Sequence, residues 1–337
     1  MPHDTPELTD QEVLQHAYST LHDHLPLHAE GYACTTDDLL KVLLGVAVNR
    51  GTIESVCADL VGTPDPQTIR GYLNAQLRVE DLPELEERLN AALAAELPPR
   101  VWRHAQEVAI DSHDRPYYGT RPQAEGLWVR GQAKDGTTRF YRVATAYLRL
   151  NGLRVTLALR FVLPEDDTVS VLGGLLTRVR GLGIRVACLL LDKGFDGIGV
   201  MEYLTRQQQP ALIACTIRGT RGGTRALCQG RTSYRTAYTF KGAHGREFTA
   251  ALAVCRVFTT AKRTKRLKRR AEWLLFILIH LDLSPRYARQ LYQGRFGVET
   301  SYRCAGRVRG WTTAKNPAYR FVLIALASGL MTCGTNR

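Results

Sequence analysis

The sequence predicts an α/β protein in which an all-helical segment of about 100 residues precedes a mixed β-sheet. Three observations carry that prediction. Residues before Pro98-Pro99 hold helix caps and turn signals but no alternating strand pattern, two long alternating runs flank Asn151-Gly152, and the chain past Leu163 reads helix, strand, helix, strand.

The helical segment, residues 1–100, opens with Thr9 and Glu12 at capping-box spacing, which starts a helix through Leu14 to Leu21. Leu39 to Val48 is an apolar run long enough for a buried helix. Thr52 to Leu60, the turn Gly62-Thr63-Pro64-Asp65-Pro66, and Gln67 to Leu77 form a helix, turn and helix. As a DNA-binding helix-turn-helix the second helix offers Gln67, Thr68, Arg70 and Asn74 to a groove; as an ordinary helical hairpin it offers nothing.

Beyond the paired prolines, strands are expected at Glu107 to Asp111, Arg139 to Leu150 and Arg154 to Leu163. Asn-Gly between the last two marks a tight hairpin. A helix over Thr168 to Arg180, a strand over Arg185 to Asp192, a helix over Gly199 to Gln208 and a strand over Pro210 to Ile217 complete residues 101–217. Three antiparallel strands followed by this alternation is the layout of an RNase H-like sheet, in which the first and fourth strands are neighbours. Residues 218–270 form a glycine-punctuated, β-rich insertion with strands over Tyr234 to Phe240 and Glu247 to Phe258. Residues 271–337 return to the core with a helix and a final apolar helix.

Charge is segregated. Residues 1–100 hold 6 Lys and Arg against 17 Asp and Glu, net −11, whereas residues 101–337 hold 39 against 15, net +24. A positive field of that size attracts a polyanion, and counterion release makes nucleic acid the expected partner. The insertion ends in Lys262, Arg263, Lys265, Arg266, Lys268, Arg269 and Arg270, seven cations in nine positions, read as a phosphate-contacting run. Eight cysteines without metal spacing fit buried thiols of a reduced, cytoplasmic protein. The acidic amino terminus is no signal peptide, and the apolar run from Trp273 to Leu283 falls short of the ~20 residues of a membrane span.

Three carboxylates carry the chemistry. Asp111 ends the apolar stretch Val108-Ala109-Ile110 and Asp192 ends the run Val186 to Leu191, so both are expected at strand carboxyl ends. Asp114 is the alternative to Asp111, and Asp196 is expected to cap the helix that follows. Tyr292, Arg295, Glu299 and Arg303 fall on one helical stripe that can aim Glu299 at the same point. Converging carboxylates repel unless cations neutralise them, and hard oxygen ligands select Mg²⁺ or Mn²⁺. Two such ions roughly 3.5–4 Å apart clamp an in-line phosphodiester displacement.

These pieces, Ala109-Ile110-Asp111, then Leu191-Asp192-Lys193-Gly194-Phe195, then Tyr292, Arg295 and Glu299, resemble the DDE transposases of insertion sequences that carry a YREK signature, over roughly residues 105–325. The resemblance implies an enzyme that cuts the terminal inverted repeats of an element and joins the freed 3′-hydroxyls to target DNA. It implies double-stranded DNA as partner, a homodimer in the DNA complex, and two divalent ions bound by Asp111, Asp192 and Glu299. It also implies that Tyr292 and Arg295 hold phosphates. Gly306 stands where the signature has lysine, which leaves Arg303 and Arg307 as the neighbouring cations. An RNase H-like nuclease without strand transfer, or a catalytically inactive DNA-binding relic, would share the same fold. Transesterification needs no nucleotide cofactor, and the chain has no Gly-x4-Gly-Lys-Ser/Thr loop.

Overall fold

The computed structural model describes residues 9–150, 153–263, 266–294 and 312–333. The first hundred residues supply α1 (Asp10–His24), a two-stranded ribbon of β1 (Glu30–Gly31) and β2 (Cys34–Thr35), then α2 (Thr36–Val48), α3 (Ile53–Asp59), α4 (Pro66–Gln76) and α5 (Leu82–Ala95). Their starts are written in the sequence. Thr9, Thr35 and Thr52 each close a reciprocal capping box, and Asp65 caps a helix whose first residue is Pro66.

The remaining elements are β3 (Gln106–Pro116), the short α6 (Gln123–Gly126), β4 (Val129–Lys134), β5 (Thr137–Leu150), β6 (Leu153–Val162), α7 (Thr168–Gly181), β7 (Val186–Leu191), α8 (Ile198–Arg206), β8 (Ala211–Cys215), β9 (Tyr234–Lys241), β10 (Glu247–Arg263) and β11 (Arg266–Ile279). A helix over 285–294, here α9, and α10 (Pro317–Cys333) follow. The strands form a nine-stranded mixed sheet with β6 and β4 on the outer edge of β5, then β3, β7, β8, β11, β10 and β9. Its centre, β6-β5-β3-β7-β8, has antiparallel pairs around β5 and parallel pairs on both sides of β7. That order is consistent with the expected RNase H-like core, and the first and fourth strands of the sequence reading are indeed neighbours.

Two expectations need correction. Β3 does not stop at Asp111. Its ladder with β5 runs on to Pro116↔Phe140 because the polar stretch after Asp111 is held by cross-strand bonds, including the bidentate pair of Asp114 with Arg142 at 2.6 and 2.9 Å. The β structure of the expected 218–270 insertion also runs past 270: β11 continues to Ile279 and pairs with β8, so β9, β10 and β11 extend the main sheet.

Strand alternation sorts the core into two faces. On one, Val108, Ile110, Leu189 and Leu191 pack beneath α7 and α8 through Val171, Leu172, Met201 and Leu204. On the other, Ala109, Leu190, Leu212 and Phe276 pack beneath Ala288 and Tyr292 of α9. That second face is shared. Tyr117, Tyr141, Val143, Leu159 and Phe161 meet α10 and the helices of the first hundred residues in one continuous core, so the helical segment is a layer on the sheet.

The layer is joined to the sheet by hydrogen bonds that stand in for a missing strand. At the outer edge of β6, Asn90 of α5 donates to the Leu159 carbonyl and accepts from the Leu159 N–H, both at 2.8 Å, while Glu86 accepts from the Phe161 N–H at 2.7 Å. Burial pushes the Glu86 carboxyl up, with the Phe161 N–H and Arg178 acting against it. An edge strand with its peptide groups satisfied this way offers no template for another chain. Asn90→Ala leaves a buried N–H and a buried carbonyl unpaired and is expected to cost about 2–4 kcal/mol in urea unfolding. An unchanged midpoint would show that these bonds do not join the layer to the sheet.

Candidate active site

Parallel pairing of β3 with β7 ends at Ile110↔Leu191, and the next residue on each strand is an aspartate. Asp111 lies on the face of Ala109. Asp192 follows Leu191 in extended backbone (φ −82°, ψ −177°), which keeps it on the face of Leu190. Ala109 and Leu190 are themselves paired and both lie in the cluster beneath α9. The two carboxylates therefore come from adjacent positions on neighbouring strands, at the seam between α9 and the helical layer. Both residues are partly buried.

Local bonds orient them. Asp111 Oδ1 accepts from the Ser112 N–H at 2.9 Å, and Asp192 Oδ1 accepts from the Gly194 N–H at 2.9 Å as it caps a short 3₁₀ turn, Lys193–Phe195. A Cβ at position 194 would stand 3.0 Å from Asp192 Oδ1, so glycine lets the carboxylate fold back onto that N–H. Asp192 also borders a cavity of about 290 Å³ at the sheet rim with Ser112, Asp114, Arg142, Thr168 and Gly194. Hydrogen bonding to Asp114, with the charge of Asp192 adding to it, holds the Arg142 guanidinium still more firmly protonated. Asp114 lies on the opposite face of β3 from Asp111, is engaged by Arg142, and lines the cavity that Asp192 borders.

Asp196 does not cap α8. It is 4% exposed and accepts from the Thr216 N–H at 2.9 Å and Arg218 Nη2 at 2.6 Å, while Gly197 fills the cap position with no side-chain bond. A buried carboxylate draws the nearest cation and N–H, and here those come from the segment after β8.

Glu299, Arg295, Arg303, Arg307 and Lys265 lie outside the described residues. Tyr292 is described: it is 4% exposed with its ring 4.9 Å from that of Phe276, so the ring packs α9 onto the sheet and any phosphate contact falls to its hydroxyl. Lys262, Arg263, Arg266, Lys268, Arg269 and Arg270 belong to the paired strands β10 and β11. In α4, Arg70 pairs with Glu54 and Asn74 accepts from Asn316, whereas Gln67 is exposed. Among the described residues no three His, Cys, Asp or Glu side chains gather as a metal site. The pair Asp111 and Asp192 nevertheless supplies hard oxygen donors from neighbouring strands, a donor set that fits Mg²⁺ or Mn²⁺ once a third ligand joins.

Sequence reading missed a buried cation behind the pair. Arg154 of β6 is 7% exposed, its Nη2 donates to Thr145 Oγ1 at 2.8 Å, and its guanidinium stands 4.0 Å from the centroid of Tyr147. Thr145 is the cross-strand partner of Asp111. The available signal was an arginine near the head of a mostly apolar strand. The described cysteines are free, and burial pushes Cys188 and Cys215 up to about 12 and Cys255 up to about 11, so they hold no reactive thiolate at neutral pH.

No protein-family model matches the chain, and no curated protein matches it. Among solved structures it is similar to a piggyBac transposase, seen by cryo-EM in a synaptic complex with hairpin DNA. The TM-score is 0.57 at 12% identity, over 97% of this chain and 73% of that one. The likeness is one of fold: a mixed α/β architecture built on a large mixed sheet. No helix among the described residues is long and apolar enough to cross a membrane.

Replacing Thr145 by Val removes the acceptor from a buried guanidinium while keeping shape, and is expected to cost about 1.5–3 kcal/mol in chemical unfolding. A loss below a few tenths would show that Arg154 does not depend on Thr145.

Proposed function

We propose that the protein is a metal-dependent DNA transposase of the DDE type, with Asp111, Asp192 and Glu299 as its carboxylates. The observation that supports this reading is that the β3–β7 pairing ends at Ile110↔Leu191, so that Asp111 and Asp192 are the next residues on two neighbouring strands, with α9, the helix that precedes Glu299 in the chain, packed on the same sheet. Two Mg²⁺ or Mn²⁺ ions would activate the attacking oxygen and stabilise the leaving one. The chain's own residues hold and aim. Asp111 is fixed by the β3 ladder and the Ser112 N–H, and Asp192 by the Gly194 N–H. Tyr292, Arg295, Arg303 and Arg307 lie on or after α9 in the sequence, where hydroxyl and guanidinium donors suit phosphate oxygens.

Water displaces the 3′-oxygen at each element end, and the freed 3′-hydroxyl then attacks a target phosphodiester, so each step breaks one phosphorus–oxygen bond and makes one. Two ends joined in concert call for two copies of the chain on the DNA. The resemblance to insertion-sequence enzymes with a YREK-like signature and the likeness in fold to a piggyBac transposase both support the reading.

With DNA carrying the element's ends and Mg²⁺ or Mn²⁺, wild-type protein should cleave, and Asp111→Asn and Asp192→Ala should each lose at least about a hundredfold in rate while melting as wild type does. Equal cleavage by wild type and Asp192→Ala would overturn the assignment. Joined products would separate a transposase from a nuclease that only hydrolyses.

A further inference from the structure

We infer that the outer half of the β10–β11 hairpin is a two-stranded arm that lies in the major groove of duplex DNA, as a contact surface additional to the carboxylate site. The inference rests on the reading of the chain as a DNA-acting protein. It begins with where the sheet stops. Β10 and β11 pair from Ala251↔Leu278 out to Arg263↔Arg266, but β9 accompanies β10 only to Val254 and β8 accompanies β11 only from Leu275. Among the described residues, the pairs between Cys255↔Leu274 and the tip therefore have no third strand.

The base of this ribbon is held by the body of the protein. Cys255 Sγ donates to the Pro285 carbonyl at 3.1 Å, the Arg256 N–H donates to Ser233 Oγ at 2.9 Å, and Val257 is buried. Phe258 is 49% exposed, with the Arg256 guanidinium 5.2 Å from its ring centroid. Six further register pairs, Phe258↔Ala271 to Arg263↔Arg266, extend the ribbon by about 20 Å at the usual rise of a strand.

A bare hairpin of this length is marginal in water, and like charges facing one another across it would destabilise it further. Residues 258–271 hold seven Lys and Arg and no acid. In the backbone register Arg270 is paired with Thr259, Arg269 with Thr260, Lys268 with Ala261, Lys262 with Leu267 and Arg263 with Arg266. A few lysines would suffice to keep an exposed edge from pairing with another chain. Six cations placed along the two strands, four of them paired in register with uncharged residues, instead make a slim polycation matched to a polyanion. The major groove of B-form DNA, ~12 Å wide, admits a two-stranded ribbon, whereas the deep, narrow major groove of A-form RNA does not. That geometry selects duplex DNA.

The test uses the full chain, a short DNA duplex and the triple variant Lys268→Gln, Arg269→Gln, Arg270→Gln, beside a charge-keeping triple, Lys268→Arg, Arg269→Lys, Arg270→Lys. Between about 50 and 200 mM salt, the Gln variant is expected to bind at least about tenfold more weakly, with a log K against log salt slope shallower by about 2.7, and the charge-keeping variant to hold the wild-type slope. Wild-type protein should protect guanine N7 from methylation, the Gln variant should lose that protection, and duplex RNA should compete poorly. Wild-type affinity and slope in the Gln variant, or wild-type binding without N7 protection that a minor-groove ligand displaces, would overturn the arm. Asp192→Asn separates this from the enzymatic reading. Cleavage that depends on Asp192 while the Gln variant binds normally removes the arm alone, and arm-dependent binding with cleavage indifferent to Asp192 removes the active site alone.

Discussion

The parallel pairing of β3 with β7 is the constraint on which the rest of the molecule depends. Neither strand is close to the other in sequence, and the ladder between them, ending at Ile110↔Leu191, brings two aspartates to adjacent positions. A shift of one residue in that register would turn one carboxylate to the opposite face of the sheet. Burial prevents the shift, because Val108, Ile110, Leu189 and Leu191 would have to leave the core under α7 and α8. The apolar residues flanking each aspartate thus determine where its charge is presented.

The other face of the sheet explains why the helical layer is present at all. A sheet with an apolar second face must cover it, and here α9 covers the strands on one side of Asp111 and Asp192 while α10 and the first hundred residues cover those on the other. The site lies at the seam between them. The layer is strongly acidic and the remainder strongly basic, so a nucleic acid is repelled from one part of the surface and drawn to another. Duplex DNA bound as proposed would be oriented by this asymmetry before any specific contact forms.

Much of the fold was legible from period and punctuation. The runs flanking Asn151-Gly152 became β5 and β6 with Leu150 facing Leu153, and the unbroken apolar run before Asp192 became a central parallel strand. What escaped was decided by tertiary partners. Β4 is short and carries Gly131, so it has little strand propensity of its own and exists through pairing with β5. The polar end of β3 reads as a loop until Arg142 is seen across from Asp114. Asp196 looked like a cap because its partners, Thr216 and Arg218, lie some twenty residues away, and the role of Arg154 was hidden because Thr145 and Tyr147 are met only on folding. The two aspartates were legible because each directly follows a buried run, a purely local signal.

Closing β6 with side chains of α5 has a consequence for assembly. With Leu159 and Phe161 on that margin already satisfied by Asn90 and Glu86, a second molecule joining strand to strand at the opposite end of the sheet would meet β9. Β9 is separated from β7 by β10, β11 and β8, about 20 Å at the usual spacing between strands. Two copies united there would keep their carboxylate pairs well apart, each free to meet its own phosphodiester.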